Sequence, residues 1–181
     1  MTLRALPAML LVAAAAAQTP TVTTLLSNGP SSNRYDMVIL GDGYTSAQQT
    51  QFDNDCQALL TALWLHPPYS TFGSYVNVHS VFRPSTMSGA NHPELVPPVY
   101  NNPVYGSSYN TGGVVRCVYI TNTALALADA ALAPANEGRI IVLVNDNTYG
   151  GCASTFSVSY NGASMTEVQI HEMGHSIGGL A

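Results

Sequence analysis

The sequence predicts one α/β domain built in three layers. Short apolar or β-branched runs alternate with segments of helical period, and glycine or proline punctuates nearly every junction. At 181 residues, 46% hydrophobic and only 8% charged, the chain is long enough and apolar enough for one real core.

The elements follow in order. Residues 1–17 start with one positive charge, Arg4, continue as an apolar run broken only by Pro7, and close on Ala15, Ala16 and Ala17. That pattern predicts a secretory signal peptide. The run falls short of the roughly 20 residues needed to span a bilayer, and no later segment is apolar enough either. A secreted protein, extracellular or periplasmic and without a membrane anchor, is the expectation.

Residues 18–33 are rich in Thr, Ser, Pro and Gly and read as a leader, with one edge strand at 22–26. The domain proper is then 34–181. Residues 36–41, DMVILG, form a short apolar run stopped by glycine turn residues and read as a buried strand. Thr45 and Gln48 fit a capping box for a helix over 45–64. Its apolar face carries Phe52, Cys56, Leu59, Leu60 and Leu63, and Pro67-Pro68 ends it. Residues 75–82 alternate as a strand, with Val76 and Val78 on one side. Residues 83–113, rich in proline and asparagine, hold no period and read as a long loop, a place where function often sits. Residues 113–121 read as a strand or the start of a helix, and alanine-rich 123–132 as a helix. Residues 139–145, RIIVLVN, are the strongest strand, buried on both faces. Tyr149, Gly150 and Gly151 turn the chain. Ser164 and Glu167 fit a second capping box, opening a helix that Gly178-Gly179 stops.

Charge excludes one class of function. The five basic residues are all arginine (Arg4, Arg34, Arg83, Arg116 and Arg139), they are scattered, and the net charge is −5. No basic patch exists for nucleic acid. Three cysteines remain, Cys56, Cys117 and Cys152. In an oxidising compartment any two of them can pair, and the sequence does not choose. With no C-x-x-C, a thiolate metal site is disfavoured.

The last helix carries the chemistry. Ile170, Met173 and Ile177 lie on a face that can pack on the core. Val168, His171, Glu172 and His175 form a second stripe. Histidines four apart on a helix stand one turn apart and can bind one metal ion, here Zn²⁺. In H-E-x-x-H the glutamate binds no metal; Glu172 takes the proton of a metal-activated water and passes it to the leaving amine. Gly174 leaves room for another backbone to approach. An ordinary helix with two solvated or core histidines does not explain this stripe in so charge-poor a chain. The third ligand is open. The H-E-x-x-H-x-x-G-x-x-H spacing of metzincins puts Gly178 at its glycine but Ala181 at its last position. His66, His79 and His92 are remote candidates, and each also reads as an ordinary surface or loop histidine.

Several stretches together resemble a known family: DMVILGDGYT at 36–45, Phe52, the N-V pair near Val76, Ser88-Gly89, 142–145, Tyr149-Gly150-Gly151, and HEMGHS at 171–176 with GLA at 179–181. Over roughly 35–181 the chain resembles the IgA-specific metallopeptidases, secreted zinc endopeptidases of metzincin-like build. The resemblance implies a three-layer metzincin-like catalytic domain whose upper part ends on the HExxH helix. It implies zinc held by His171 and His175, a general base at Glu172, and a protein or peptide substrate. In the family the helix runs on into an acidic stretch whose Asp falls just beyond Ala181 and is a candidate third ligand. On that comparison the chain reads as C-terminally truncated. Residues 142–145 are either an edge strand that pairs with an extended substrate or a plain core strand. Asp42 and Tyr44 either line the cleft or only shape a turn. The rival readings are a secreted α/β binding module or inactive fragment with an incomplete metal site, and a zinc hydrolase of non-peptide amides.

Overall fold

The computed structural model describes residues 19–136 and 138–180. The expected signal peptide lies outside them. Six strands, β1 (Thr21–Leu26), β2 (Tyr35–Asp42), β3 (Val76–Phe82), β4 (Arg139–Val144), β5 (Gly151–Ala153) and β6 (Phe156–Tyr160), form one mixed sheet in the order β1-β3-β2-β4-β6-β5. The interior pairs β3–β2, β2–β4 and β4–β6 are parallel. The outermost pairs, β1–β3 and β5–β6, are antiparallel. The helices are α1 (Gln49–Leu63), α2 (Tyr69–Phe72), α3 (Thr123–Ala130) and α4 (Met165–Ser176). Among the described residues no helix is long and apolar enough to cross a membrane.

Strand pleating sends successive side chains to opposite faces, and β2 shows it cleanly. Met37 and Ile39 enter a core with Phe52, Cys56, Leu59 and Leu63 of α1 and Met165 and Met173 of α4. Val38 and Leu40 enter a second core with Ala126 and Ala130 of α3 and with loop residues including Tyr105, Tyr109, Val118 and Ile120. Each core excludes water from one face of the same sheet.

The Thr45 capping box forms: the Thr45 N–H donates to Gln48 Oε1 at 2.9 Å, opening a short 3₁₀ turn before α1. Two expectations fail. Beyond a short 3₁₀ turn that ends at Gly113, residues 113–121 are neither strand nor helix. Only a single bridge joins Ser108 to Tyr119, while Val118 and Ile120 are buried in the second core and Val114 and Val115 face solvent. The segment lies over the sheet because β4 already has both neighbours. Residues 151–160, of which the sequence reading placed only Gly151, in a turn, form the hairpin β5–β6.

The long loop is held from below. The buried Asp42 carboxylate accepts the Tyr105 and Ser107 amides, each at 2.9 Å. Burial pushes its pKa up, against the lowering effect of those amides. Arg83 grips Asp129 of α3 at 2.5 and 2.6 Å, and the Tyr105 hydroxyl donates to the same carboxylate at 2.7 Å.

Candidate metal centre and catalytic helix

The turn out of β6 sets the direction of α4. Ser164 sits before its first turn, but its side chain caps nothing. Instead the Ser164 N–H donates to the Tyr160 hydroxyl at 3.0 Å, and the Met165 N–H to the Gly162 carbonyl at 2.9 Å. The expected capping box is therefore not formed, and Glu167 stays in the first turn as an exposed acid, where the helix dipole favours it.

One face of α4 packs down. Met173 is buried, and Ile170 and Ile177 pack half-buried beside it, as their spacing predicts. The opposite stripe separates by depth: His171 is exposed, His175 half-exposed, and Glu172 buried. The two histidines converge. Their Nε2 atoms lie 3.1 Å apart and their rings stand at 86°. Two nitrogens bound tetrahedrally to one zinc ion at its usual bond length lie about 3.3 Å apart, so the pair is set as such a site needs.

The other nitrogen of His175 explains its orientation. His175 Nδ1 is 2.8 Å from the Leu180 carbonyl oxygen. A carbonyl only accepts, so Nδ1 carries the proton, and the Nε2 of the neutral ring turns its lone pair toward His171. Gly179, at φ +62°, turns the chain so that Leu180 reaches back, its N–H donating to the Gly174 carbonyl at 3.1 Å. The space above Gly174 is filled by the Leu180 side chain and not, as expected, by another backbone.

Glu172 points toward β5. A Cβ built on Gly151 would stand 3.0 Å from Glu172 Oε1 and 2.4 Å from a methyl of Val168. Only glycine lets β5 and α4 come this close. Burial pushes the Glu172 carboxyl up from the ordinary range, and the nearby His171, His175 and Arg116 draw it partly back.

Two cavities flank this contact and share Arg116, Gly151, His171 and Glu172. One, of about 320 Å³, extends along the start of α4 to Tyr149 and Glu167. The other, of about 480 Å³, extends past His175 to Leu180, Ala153 and Val114. The Gly151 N–H donates to the Arg116 carbonyl at 3.2 Å, and a disulfide joins Cys117 to Cys152, leaving Cys56 free and buried in the first core.

Other expected positions lie elsewhere. Residues 142–145 are no edge, because β4 runs between β2 and β6; the edge strand beside the site is β5. Asp42 is buried under the long loop, and the buried Tyr44 donates its hydroxyl to Asp55 at 2.8 Å, so neither lines the cleft. None of the remote histidines joins His171 and His175. His66 is exposed just after α1. His79, in β3, is bonded to Thr24 at 3.1 Å. His92 is held between Glu94 at 2.7 Å and Asp146 at 3.0 Å, stacked on Tyr109. Among the described residues no three histidine, cysteine or acidic side chains gather to hold a metal ion.

Arg116 and Gly151 were not singled out by sequence reasoning as site residues. The Gly150-Gly151 pair was the available signal, since strand glycines mark close backbone approach. A family model described as IgA Peptidase M64 matches residues 23–181. No curated protein matches the chain.

Proposed function

The chain belongs to the IgA peptidase M64 family, and from that premise we propose that it is a secreted zinc-dependent endopeptidase with a metzincin-like, three-layer catalytic domain. The observation that carries the reading is the paired Nε2 atoms of His171 and His175, 3.1 Å apart, with the buried Glu172 between them in sequence.

His171 Nε2 and His175 Nε2 would hold the zinc ion, and the Leu180 carbonyl keeps the His175 ring in the tautomer this needs. Zinc, when bound, supplies a Lewis acid that lowers the pKa of water and polarises a carbonyl group. Glu172 receives the proton of the attacking water and delivers it to the leaving amine. Its burial supports this role, because a carboxyl raised above the ordinary range takes up a proton more readily. An extended peptide lies along β5. Gly151 directs its N–H to Arg116, and the alternation of a strand then turns the Ala153 N–H and C=O to the same outer side. The Cys117–Cys152 disulfide supports an oxidising, exported setting.

Metal analysis and peptide digestion test the reading. Wild-type protein is expected to retain about one zinc per chain and to cut peptides but not small non-peptide amides. Glu172→Gln should keep the zinc and lose about 10²- to 10⁴-fold in kcat. His171→Ala should lose the zinc. Undiminished hydrolysis by Glu172→Gln overturns the mechanism. Failure to bind zinc, with no hydrolysis, favours the binding-module reading.

A further inference from the structure

Arg116 is the one arginine lining the two cavities beside Glu172. Arg116 is exposed and its guanidinium makes no hydrogen bond or salt bridge among the described residues, while its charge acts through space on Glu172. Arg83, by contrast, is fully engaged with Asp129. Yet its backbone is fixed twice: the Arg116 carbonyl accepts the Gly151 N–H, and the next residue, Cys117, is bonded covalently to Cys152 of β5. A long cation with no hydrogen-bonded partner, on an anchored backbone, is poised for an anion that arrives with a ligand.

The two cavities differ in what they offer. The smaller has the exposed carboxylate of Glu167 on its wall, which repels an anion. The larger is walled by Val114, Ala153, Leu180 and the disulfide, and the buried Glu172 is its one carboxylate. Apolar walls exclude water and strengthen a charge pair made against them.

We infer that Arg116 is a specificity-determining residue that binds an acidic side chain of the substrate in the larger cavity, next to the bond to be cut. The inference rests on the peptidase reading and names a substrate preference for the same site. A bidentate guanidinium–carboxylate pair at the partly exposed mouth of the cavity favours Glu over Gln by roughly tenfold in affinity.

The test uses zinc-loaded Glu172→Gln protein, which binds without cutting. Fluorescent peptides carry one glutamate moved stepwise through an otherwise uncharged sequence, each with its glutamine twin, and Kd is read by anisotropy. One register is expected to bind roughly tenfold tighter as Glu than as Gln, less so at high salt. Adding Arg116→Glu should reverse that preference toward a lysine peptide, and adding Arg116→Lys should retain part of it. Binding without Glu/Gln discrimination, or discrimination unchanged in the Arg116→Glu protein, overturns this proposal alone. Binding of no peptide at all overturns the peptidase reading with it. In protein with Glu172 intact, Arg116→Gln should lower kcat/KM for the glutamate register through KM. A uniform fall in kcat for every peptide would assign Arg116 to the reacting carbonyl instead.

Discussion

A single absent side chain governs how closely Glu172 is approached. Gly151 lets β5 rest against α4, and an added Cβ would collide with Val168, with the Val158 carbonyl at 2.9 Å and with Glu172 Oε1. Gly151→Ala should therefore cost about 1–3 kcal/mol, read as a lower thermal midpoint, and depress kcat by shifting Glu172. His92 gives a second expectation at this scale. Burial lowers its pKa, but the bonds to Asp146 and Glu94 more than offset this and leave it raised. Its contribution to stability is fully present below the unfolded value of 6.5 and is lost as pH rises through the higher folded value. Asp146 is the converse: burial raises it, the His92 and backbone bonds win, and its contribution is lost as pH falls through its lowered value. His92→Gln should lower the urea midpoint most near pH 5 and clearly less near pH 8. An equal loss at both values would refute the charged pair. The histidines and Glu172 of α4 were legible because their spacing is local. Gly151 was not, because its neighbours lie in another element.

At the scale of elements, α4 and β5 make the candidate site together, and only α4 announced itself. FSVSY of β6 does alternate with period two, but at five residues beside a three-residue partner the signal was outweighed by the glycines around it. The opposite error, a strand read at 113–121, came from apolar residues that do pack, as Val118 and Ile120 show, but against a face and not along an edge. The Cys117–Cys152 bond ties that segment to β5 across 35 residues. Replacing both cysteines by serine should cost about 3–4 kcal/mol by loop closure, measured by urea unfolding. It should also speed amide exchange around β5 and Arg116. A protein equally stable with and without the bond would show that the hydrogen bonds of the hairpin already hold it.

Across the whole molecule, one sheet serves two cores. Ile39 and Leu40 are adjacent in β2 and fully buried on opposite faces. Ile39→Ala and Leu40→Ala should each cost about 2–5 kcal/mol. Unfolding should stay a single transition by fluorescence and far-ultraviolet circular dichroism, since the β2 backbone belongs to both cores. Two separated transitions in either variant would mean that the faces fold independently. The long loop depends on the same arrangement, because Asp42 at the end of β2 holds Tyr105 and Ser107 from far along the chain.

The sequence by itself determined what depends on short spacing. It set the apolar faces of α1 and α4, the buried runs of β2 and β4, the strand at β3, and two histidines with a glutamate on one helical stripe. Period and capping act within a few residues, so they can be read from the chain alone. Tertiary structure decided what depends on distance across the chain. It decided the sheet order, which of three cysteines pair, and that β5 rather than β4 forms the edge at the site. It also engaged His79 and His92 elsewhere and set Arg116 beside Glu172. These are choices among partners far apart in sequence, settled by which packing fills both faces of one sheet.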